Sequence, residues 1–283
     1  MTPGSSVEPS PEERAAFLKR FEHFGSEPSA ETYLALFHPE AVLFDDGMER
    51  PIGVAEIPAH IRSVLALVKG FRIGPERWRA RDSVVMVEAH NAGEVAGKAV
   101  SWRSVYRIEL AGSLVKNGRR YFDRAPLLAA LDPNTPSVSP RLAPAASDAE
   151  PLSGAVPGAE RGPEALVTAC TAAWANGRPE ASAELFREDG ALHVPGLARP
   201  LGGGEIAAYY RRLHALLGGA RLAPRRWAGD DALLFIEWQG EIETPAGPRA
   251  FGAIERFDLV GGRVLAARHY FETGALARAL AVS

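Results

Sequence analysis

The chain has 283 residues, of which 46% are hydrophobic and 24% charged, with a formal net charge of −3. This composition is typical of a globular protein long enough for two domains, and the scattered Lys and Arg residues exclude nucleic acid as the main partner. No apolar run approaches a membrane span and residues 1–10 lack a signal-peptide pattern, so we expect a cytoplasmic protein that is not integral to a membrane. The single cysteine, Cys170, excludes an intrachain disulfide and we expect it in a buried core.

The second half of the sequence repeats the first at an offset of 149 residues. Residues 36–131 pair with residues 185–280 without a gap, and 31 of the 96 pairs are identical. Arg50-Pro51 matches Arg199-Pro200 in this register. An ungapped match of this length predicts one fold that is present twice.

Two stretches lack hydrophobic periodicity and divide the chain. We predict a disordered leader at 1–10, a first domain at 11–131, a linker at 132–163 and a second domain at 164–283. The linker contains seven prolines and no aromatic residue, so it has little apolar surface to bury and favours extended conformations.

Each predicted domain begins with helices and continues with strands. In chain order the pattern predicts an amphipathic helix, a second short helix, a short strand (41–44 and 191–194) and a third helix (54–67 and 204–217). Three longer strands follow in each domain, at 83–89, 100–110 and 114–122 and at 232–238, 250–260 and 264–271. Helices followed by an antiparallel meander predict an α+β fold in both halves.

This layout, with Leu36-Phe37 and Arg-Pro-x-Gly early and Tyr121-Phe122 at the end, resembles the nuclear transport factor two-like superfamily. The SnoaL-like polyketide-cyclase and ketosteroid-isomerase branch is the most similar. The resemblance implies two cone-shaped units, each with three N-terminal helices packed on a curved antiparallel sheet around an apolar cavity. It also implies that the two units pair through their sheets as an intramolecular pseudo-dimer in a chain that is otherwise monomeric.

Strand alternation within this resemblance predicts which side chains face each cavity. The predicted substrate-binding residues are Tyr106, Arg120, Trp102, Ser104 and Phe122 in the first domain, and Trp238, Phe251 and Phe271 in the second.

Asp45 is the candidate base of the first domain. The resemblance to ketosteroid isomerases implies a carboxylate with a raised pKa at the end of the first strand, and Asp45 stands there; turn formation by Asp-Asp-Gly is the alternative. The two oxyanion-donor positions of that family hold Phe21 and Ser104, so ketosteroid isomerisation itself is not expected. Tandem polyether epoxide hydrolases have an acidic pair in each domain, for which Glu76 is a distant second candidate.

Glu255 and His269 form the candidate pair of the second domain, where the base position holds Val194. Both point inward on adjacent strands, and a carboxylate that orients an imidazole makes a general acid or base near neutral pH. The alternative is a packed histidine bonded to backbone, with Glu255 paired to an arginine.

The histidine spacings match no metal site, and we expect neither metal nor cofactor. The sequence therefore predicts a cofactor-independent acid/base enzyme (a cyclase, isomerase or epoxide hydrolase) acting on a hydrophobic oxygenated small molecule such as a polyketide. A non-catalytic small-molecule binding protein and a protein-interaction module are the alternatives.

Overall fold

A computed structural model describes residues 8–45, 48, 50–144 and 162–281. The chain divides into two compact units, Met1–Thr135 (unit one) and Pro136–Ser283 (unit two). Residues 1–7 of the predicted leader and 145–161 of the predicted linker lie outside the described residues. No helix in the described ranges is long and apolar enough to cross a bilayer.

Unit one consists of helices that precede and follow a six-stranded sheet. Its elements are α1 (Pro11–Ser26), α2 (Ala30–Leu34), β1 (Phe37–Asp45), β2 (Ile52–Gly53), α3 (Ile57–Leu67), β3 (Lys69–Arg81), β4 (Val84–Val95), β5 (Lys98–Ala111), β6 (Leu114–Tyr121) and α4 (Ala125–Leu131). Capping boxes at Ser10 and Ser29 start α1 and α2, because each serine accepts a hydrogen bond from the backbone three residues on.

Unit two repeats this order. Its elements are α5 (Ser139–Leu142), α6 (Pro163–Ala175), a 3₁₀ helix (Pro179–Leu185), β7 (Phe186–His193), β8 (Leu201–Gly202), α7 (Gly204–Leu216), β9 (Ala223–Gly229), β10 (Leu233–Ile242), β11 (Arg249–Val260), β12 (Arg263–Tyr270) and α8 (Thr273–Ala281). The α+β class predicted for both halves is confirmed, while β3, β9 and the final helix of each unit were not specified by the sequence pattern.

Both sheets have the same topology, with the orders β2-β1-β6-β5-β4-β3 and β8-β7-β12-β11-β10-β9. The predicted antiparallel sheet is wrong in one respect, because β1 pairs with β6 and β7 with β12 in parallel. Each sheet is therefore mixed. The parallel partners are far apart in sequence, so local patterning carries no sign of this pairing.

The inward faces follow the predicted alternation. Trp102, Tyr106 and Phe122 belong to the core of unit one. Trp238, Phe251 and Phe271 belong to the core of unit two. The strand faces therefore place the predicted cavity residues on the side that packs against the helices.

Part of the stretch predicted as a linker packs into unit two. Val138 and Leu142, at or beside α5, are 1% and 0% exposed and belong to its core. The Ser139 hydroxyl donates to the backbone oxygen of Pro195 at 3.0 Å. This part of the proline-rich stretch is therefore ordered, because Val138 and Leu142 are buried in the core of unit two.

Candidate functional site

Unit one contains a pocket with a cavity volume of about 20 Å³ and an open mouth. Its walls are mostly apolar side chains of α1, β1, β5 and β6. Four polar side chains, Tyr33, Asp45, Tyr106 and Arg120, join them, together with a second arginine, Arg119. A largely apolar pocket with a few convergent polar groups is typical of small-molecule sites.

Asp45 lies at the end of β1 and is 6% exposed. The parallel register places it opposite Arg120 of β6, whose Nη2 lies 2.6 Å from the Asp45 Oδ2 atom. His60 of α3 approaches the same oxygen, with Nε2 at 3.4 Å. Among the described residues, the Oδ1 atom of Asp45 has no hydrogen-bond partner, so it is available to a ligand.

The charge of Asp45 is set by these neighbours. Burial would raise its pKa, but the positive charge of Arg120 and the contact with His60 outweigh burial and hold the pKa below its usual value. The sequence-based expectation of a raised pKa is therefore wrong. Asp45 is an ionised carboxylate at neutral pH.

Tyr106 belongs to a hydrogen-bonded chain on the inner face of β4 and β5. Its hydroxyl donates to the Asn91 Oδ1 atom at 3.1 Å, and the Asn91 amide donates to the Ser104 hydroxyl at 2.8 Å. Asn91 and Ser104 are both fully buried. Burial raises the pKa of Tyr106, with a partly opposing effect of the Arg120 charge.

Tyr33 of α2 lines the same pocket and was not among the predicted site residues. Its ring packs against Phe24 and Phe37, with centroids 4.6 Å and 5.0 Å away. Burial and the negative charge of Asp45 raise the pKa of its hydroxyl, so the group stays protonated. No described residue hydrogen-bonds to this hydroxyl.

The other predicted binding residues of unit one lie outside the pocket lining. Trp102 stacks on Phe71 at 5.9 Å and lies 6.3 Å from Phe122. Phe122 in turn lies under the Arg120 guanidinium, 4.5 Å from its ring centroid. Together with Ser104 they support the site from behind rather than forming its wall.

In unit two, the predicted pair is joined in a buried polar network. Glu255 and His269 are directly paired across β11 and β12, and the His269 Nε2 atom contacts the Glu255 carboxylate. The Tyr210 hydroxyl donates to Glu255 at 2.9 Å and the Trp238 indole donates to it at 2.6 Å. The Tyr209 hydroxyl lies 2.8 Å from the other His269 nitrogen.

This network is closed. Its five side chains, including Tyr209 and Tyr210 of α7, belong to residues at most 4% exposed. Both oxygens of Glu255 and both nitrogens of His269 have partners within the network. The alternative interpretation expected a backbone partner for His269 and an arginine partner for Glu255, and the partners observed are different. Neither Glu255 nor His269 has a side-chain polar atom left for a ligand.

The remaining predicted side chains of unit two form its core. The Phe251 and Phe271 rings pack 6.0 Å apart. Cys170 and Val194 are 2% and 6% exposed, and both belong to the core of unit two, as expected for Cys170.

Sequence reasoning missed His60, Tyr33, Asn91, Tyr209 and Tyr210. The offset of 149 residues pairs His60 of α3 with Tyr209 of α7. His60 contacts Asp45 of β1, and Tyr209 contacts His269 of β12. A polar residue at the same position of both helices was the signal that could have identified His60 and Tyr209.

Within the described ranges, no three His, Cys, Asp or Glu side chains are placed to hold a metal ion. The arrangement in unit one therefore offers a carboxylate, a guanidinium and two phenols as its chemical groups.

Comparison with known proteins relates part of unit two to a known family. The SnoaL-like domain family matches residues 167–267. A search of curated proteins found no match. Several solved structures resemble one unit-length portion of the chain. An LEH-like epoxide hydrolase from M. tuberculosis has 20% identity over 42% of this chain and 90% of its own, with a TM-score of 0.36.

Two further structures are an NTF2-like protein from Anabaena variabilis and a protein with a ketosteroid isomerase-like fold from Catenulispora acidiphila, the latter in complex with trimethylamine. The first has 16% identity over 43% of this chain and 92% of its own, with a TM-score of 0.36. The second has 13% identity over 40% and 90%, with a TM-score of 0.38. No activity is transferred from likenesses at this level. Within unit two the chain therefore matches the SnoaL-like domain family, and unit one has the same strand order as unit two.

Proposed function

We propose that unit one is a cofactor-independent acid/base enzyme unit that acts on a hydrophobic oxygenated small molecule. The reaction classes that fit are isomerisation, cyclisation and epoxide hydrolysis. One observation carries the proposal: Asp45 is an ionised carboxylate with one oxygen held by Arg120 and His60 and the other unpaired in an apolar pocket.

The geometry fits a general base. Because Oδ2 is fixed by the ion pair, the Oδ1 atom has a defined position from which it can accept a proton from a substrate carbon or from a water molecule. The neighbouring guanidinium stabilises the carboxylate and limits its basicity. A weak base of this kind can remove moderately acidic substrate protons or activate a water molecule, but it does not remove weakly acidic protons efficiently.

The lining supports a hydrophobic substrate. Apart from the four polar side chains and a second arginine, the pocket is lined by apolar groups and one glycine. Asp45 and Arg120 compensate each other's charge, so the pocket favours a neutral ligand with one or two oxygen atoms.

A non-catalytic binding protein is the second candidate. The lowered pKa of Asp45 favours it, because a weaker base contributes less to proton transfer. A catalytic role of Glu255 and His269 stays a prediction, and their closed network is better suited to stabilising unit two.

The test uses the full chain and two reactions that need no known substrate. The α-protons of 2-tetralone exchange with D₂O in an NMR assay, and styrene oxide hydrolysis is followed by chromatography. Asp45→Asn should lower the faster of these rates on the order of 10²-fold, as for removal of a positioned base. Glu40→Gln, on the exposed edge of the same strand, is the matched control and should keep the wild-type rate.

Equal rates for the wild type and Asp45→Asn in both reactions would refute the enzymatic proposal. If 2-naphthol still raises the Tm of both proteins, the binding-protein alternative is supported instead.

A further inference from the structure

We propose that Tyr33, and not Tyr106, is the side chain that donates a hydrogen bond to an oxygen atom of the ligand in unit one. The inference rests on the proposed function of this pocket and deepens it. Tyr106, whose hydroxyl is held by Asn91, is then a positioning residue whose ring packs beside Arg120.

The orientation of Asn91 is fixed by its surroundings. Its Nδ2 atom lies 2.8 Å from the Ser104 hydroxyl and 3.3 Å from each of the backbone oxygens of Ala89 and Trp102. Backbone oxygens only accept hydrogen bonds, so the amide nitrogen has to face them. The Asn91 Oδ1 atom therefore faces Tyr106.

This orientation uses the only proton of the Tyr106 hydroxyl. The group donates to Asn91 Oδ1 at 3.1 Å, and the Arg120 guanidinium lies 5.9 Å from the centroid of its ring. A phenol has a single donor hydrogen, and in Tyr106 it is occupied. Tyr106 therefore has no hydrogen left to donate to a ligand, and its ring packs beside the guanidinium that holds Asp45.

Tyr33 is in the opposite situation. Its hydroxyl has no partner among the described residues, lies within the electrostatic influence of Asp45 and Arg120, and belongs to the pocket wall. The contacts of its ring with Phe24 and Phe37 fix the direction of the hydroxyl. Because burial and the charge of Asp45 raise the pKa of the phenol, the hydroxyl is a donor at neutral pH.

The two free groups define the ligand chemistry. Tyr33 offers a donor and the Asp45 Oδ1 atom offers an acceptor, in one pocket. A ligand hydroxyl can accept a hydrogen bond from Tyr33 and donate one to Asp45. A carbonyl compound can accept from Tyr33 and present an acidic α-hydrogen to Asp45. The matching class is therefore an aromatic or alicyclic molecule with a phenol, an alcohol or an enolisable carbonyl.

The experiment compares probes that differ in this oxygen. Dissociation constants of 2-naphthol, 2-methoxynaphthalene and naphthalene are measured from the probe fluorescence with the wild type, Tyr33→Phe and Tyr106→Phe. The two variants undergo the same chemical change in one pocket. The readout is the ratio of naphthalene to 2-naphthol dissociation constants, which a general loosening of the pocket changes little.

Tyr33→Phe should weaken 2-naphthol and 2-methoxynaphthalene about threefold to tenfold, the value of one net hydrogen bond, and leave naphthalene within about twofold. Its Tm should stay close to that of the wild type, since the hydroxyl has no internal partner. Tyr106→Phe should leave the ratio within about twofold of the wild type and lower the Tm, because it strands the buried Asn91 oxygen.

A ratio that falls in Tyr106→Phe and not in Tyr33→Phe overturns the inference, and so does a ratio unchanged in both. Failure of the wild type to bind any of the three probes overturns the proposed function of the pocket and this inference with it.

Discussion

The buried network of unit two gives the sharpest stability prediction, through Glu255→Gln. The carboxylate accepts from Tyr210 and His269 on one oxygen and from Trp238 on the other. A glutamine has only one acceptor oxygen, so its amide nitrogen has to face a donor that was previously satisfied. The variant also removes the negative charge that lies beside His269.

The magnitude follows from burial. Glu255 and His269 are both 4% exposed, and breaking a buried pair by changing one partner costs about 3–5 kcal/mol. For a unit of this size each kcal/mol lowers the Tm by roughly 3 °C, so a decrease of about 10 °C is expected. Urea unfolding followed by tryptophan emission measures the free energy, and calorimetry measures the Tm.

The matched control is Glu241→Gln, because Glu241 is exposed on β10, next to β11. It should change the free energy of unfolding by less than about 0.5 kcal/mol. A loss below about 1 kcal/mol in Glu255→Gln would refute the network as a main stabilising element of unit two. The affinity of 2-naphthol for unit one should stay unchanged in either variant.

Three further predictions concern single residues. The folded-state pKa of Asp45 lies below its unfolded value of about 3.9. The stabilisation by this carboxylate is therefore present above about pH 3.9 and is lost as the pH falls through the folded-state pKa. Asp45→Asn should abolish this contribution to the decrease in Tm, measured from about pH 7 to 3. Cys170, 2% exposed, should react with a thiol reagent only as fast as unit two unfolds, which stopped-flow absorbance can follow. Gly196→Ala should lower the free energy of unfolding in urea more than Gly203→Ala does. Both glycines have positive φ. A Cβ atom at Gly196 would lie 2.2 Å from the Ser139 hydroxyl oxygen, whereas one at Gly203 has no neighbour within 4 Å.

Strand faces could be predicted from the sequence, but strand register could not. Alternation correctly placed Tyr106 and Glu255 on the inner faces. Hairpin spacing in the sequence also predicts that Glu88 lies opposite Arg107 and Glu237 opposite Arg256. These two predictions are wrong, because Glu88 pairs with Val105 and Glu237 with Ile254. Both errors equal two residues, which is the shift that leaves every side chain on its original face.

The composition of the site was less predictable than its location. The position of Asp45 at a strand end could be predicted from the sequence. The direction of its pKa shift could not, because it depends on Arg120 of the parallel neighbouring strand and on His60 of a helix. Tyr33 lies in a five-residue helix, too short for a periodicity that would show which face is buried. Such contacts between elements far apart in sequence are determined by tertiary packing, which one sequence does not display.

The repeated fold also restricts how the equivalent polar groups of the two units could have diverged by mutation. Where unit one has Asp45 and Arg120, unit two has Val194 and His269 at the equivalent positions. Changing Arg120 alone would strand a buried carboxylate, and changing Asp45 alone would strand a buried cation, each at a cost of several kcal/mol. Substituting Asp45 or Arg120 alone should therefore destabilise the unit, whereas substituting both together should be tolerated. This epistasis predicts that exchanging single residues between the units will fail where exchanging the coupled pair, with its helix residue His60 or Tyr209, succeeds.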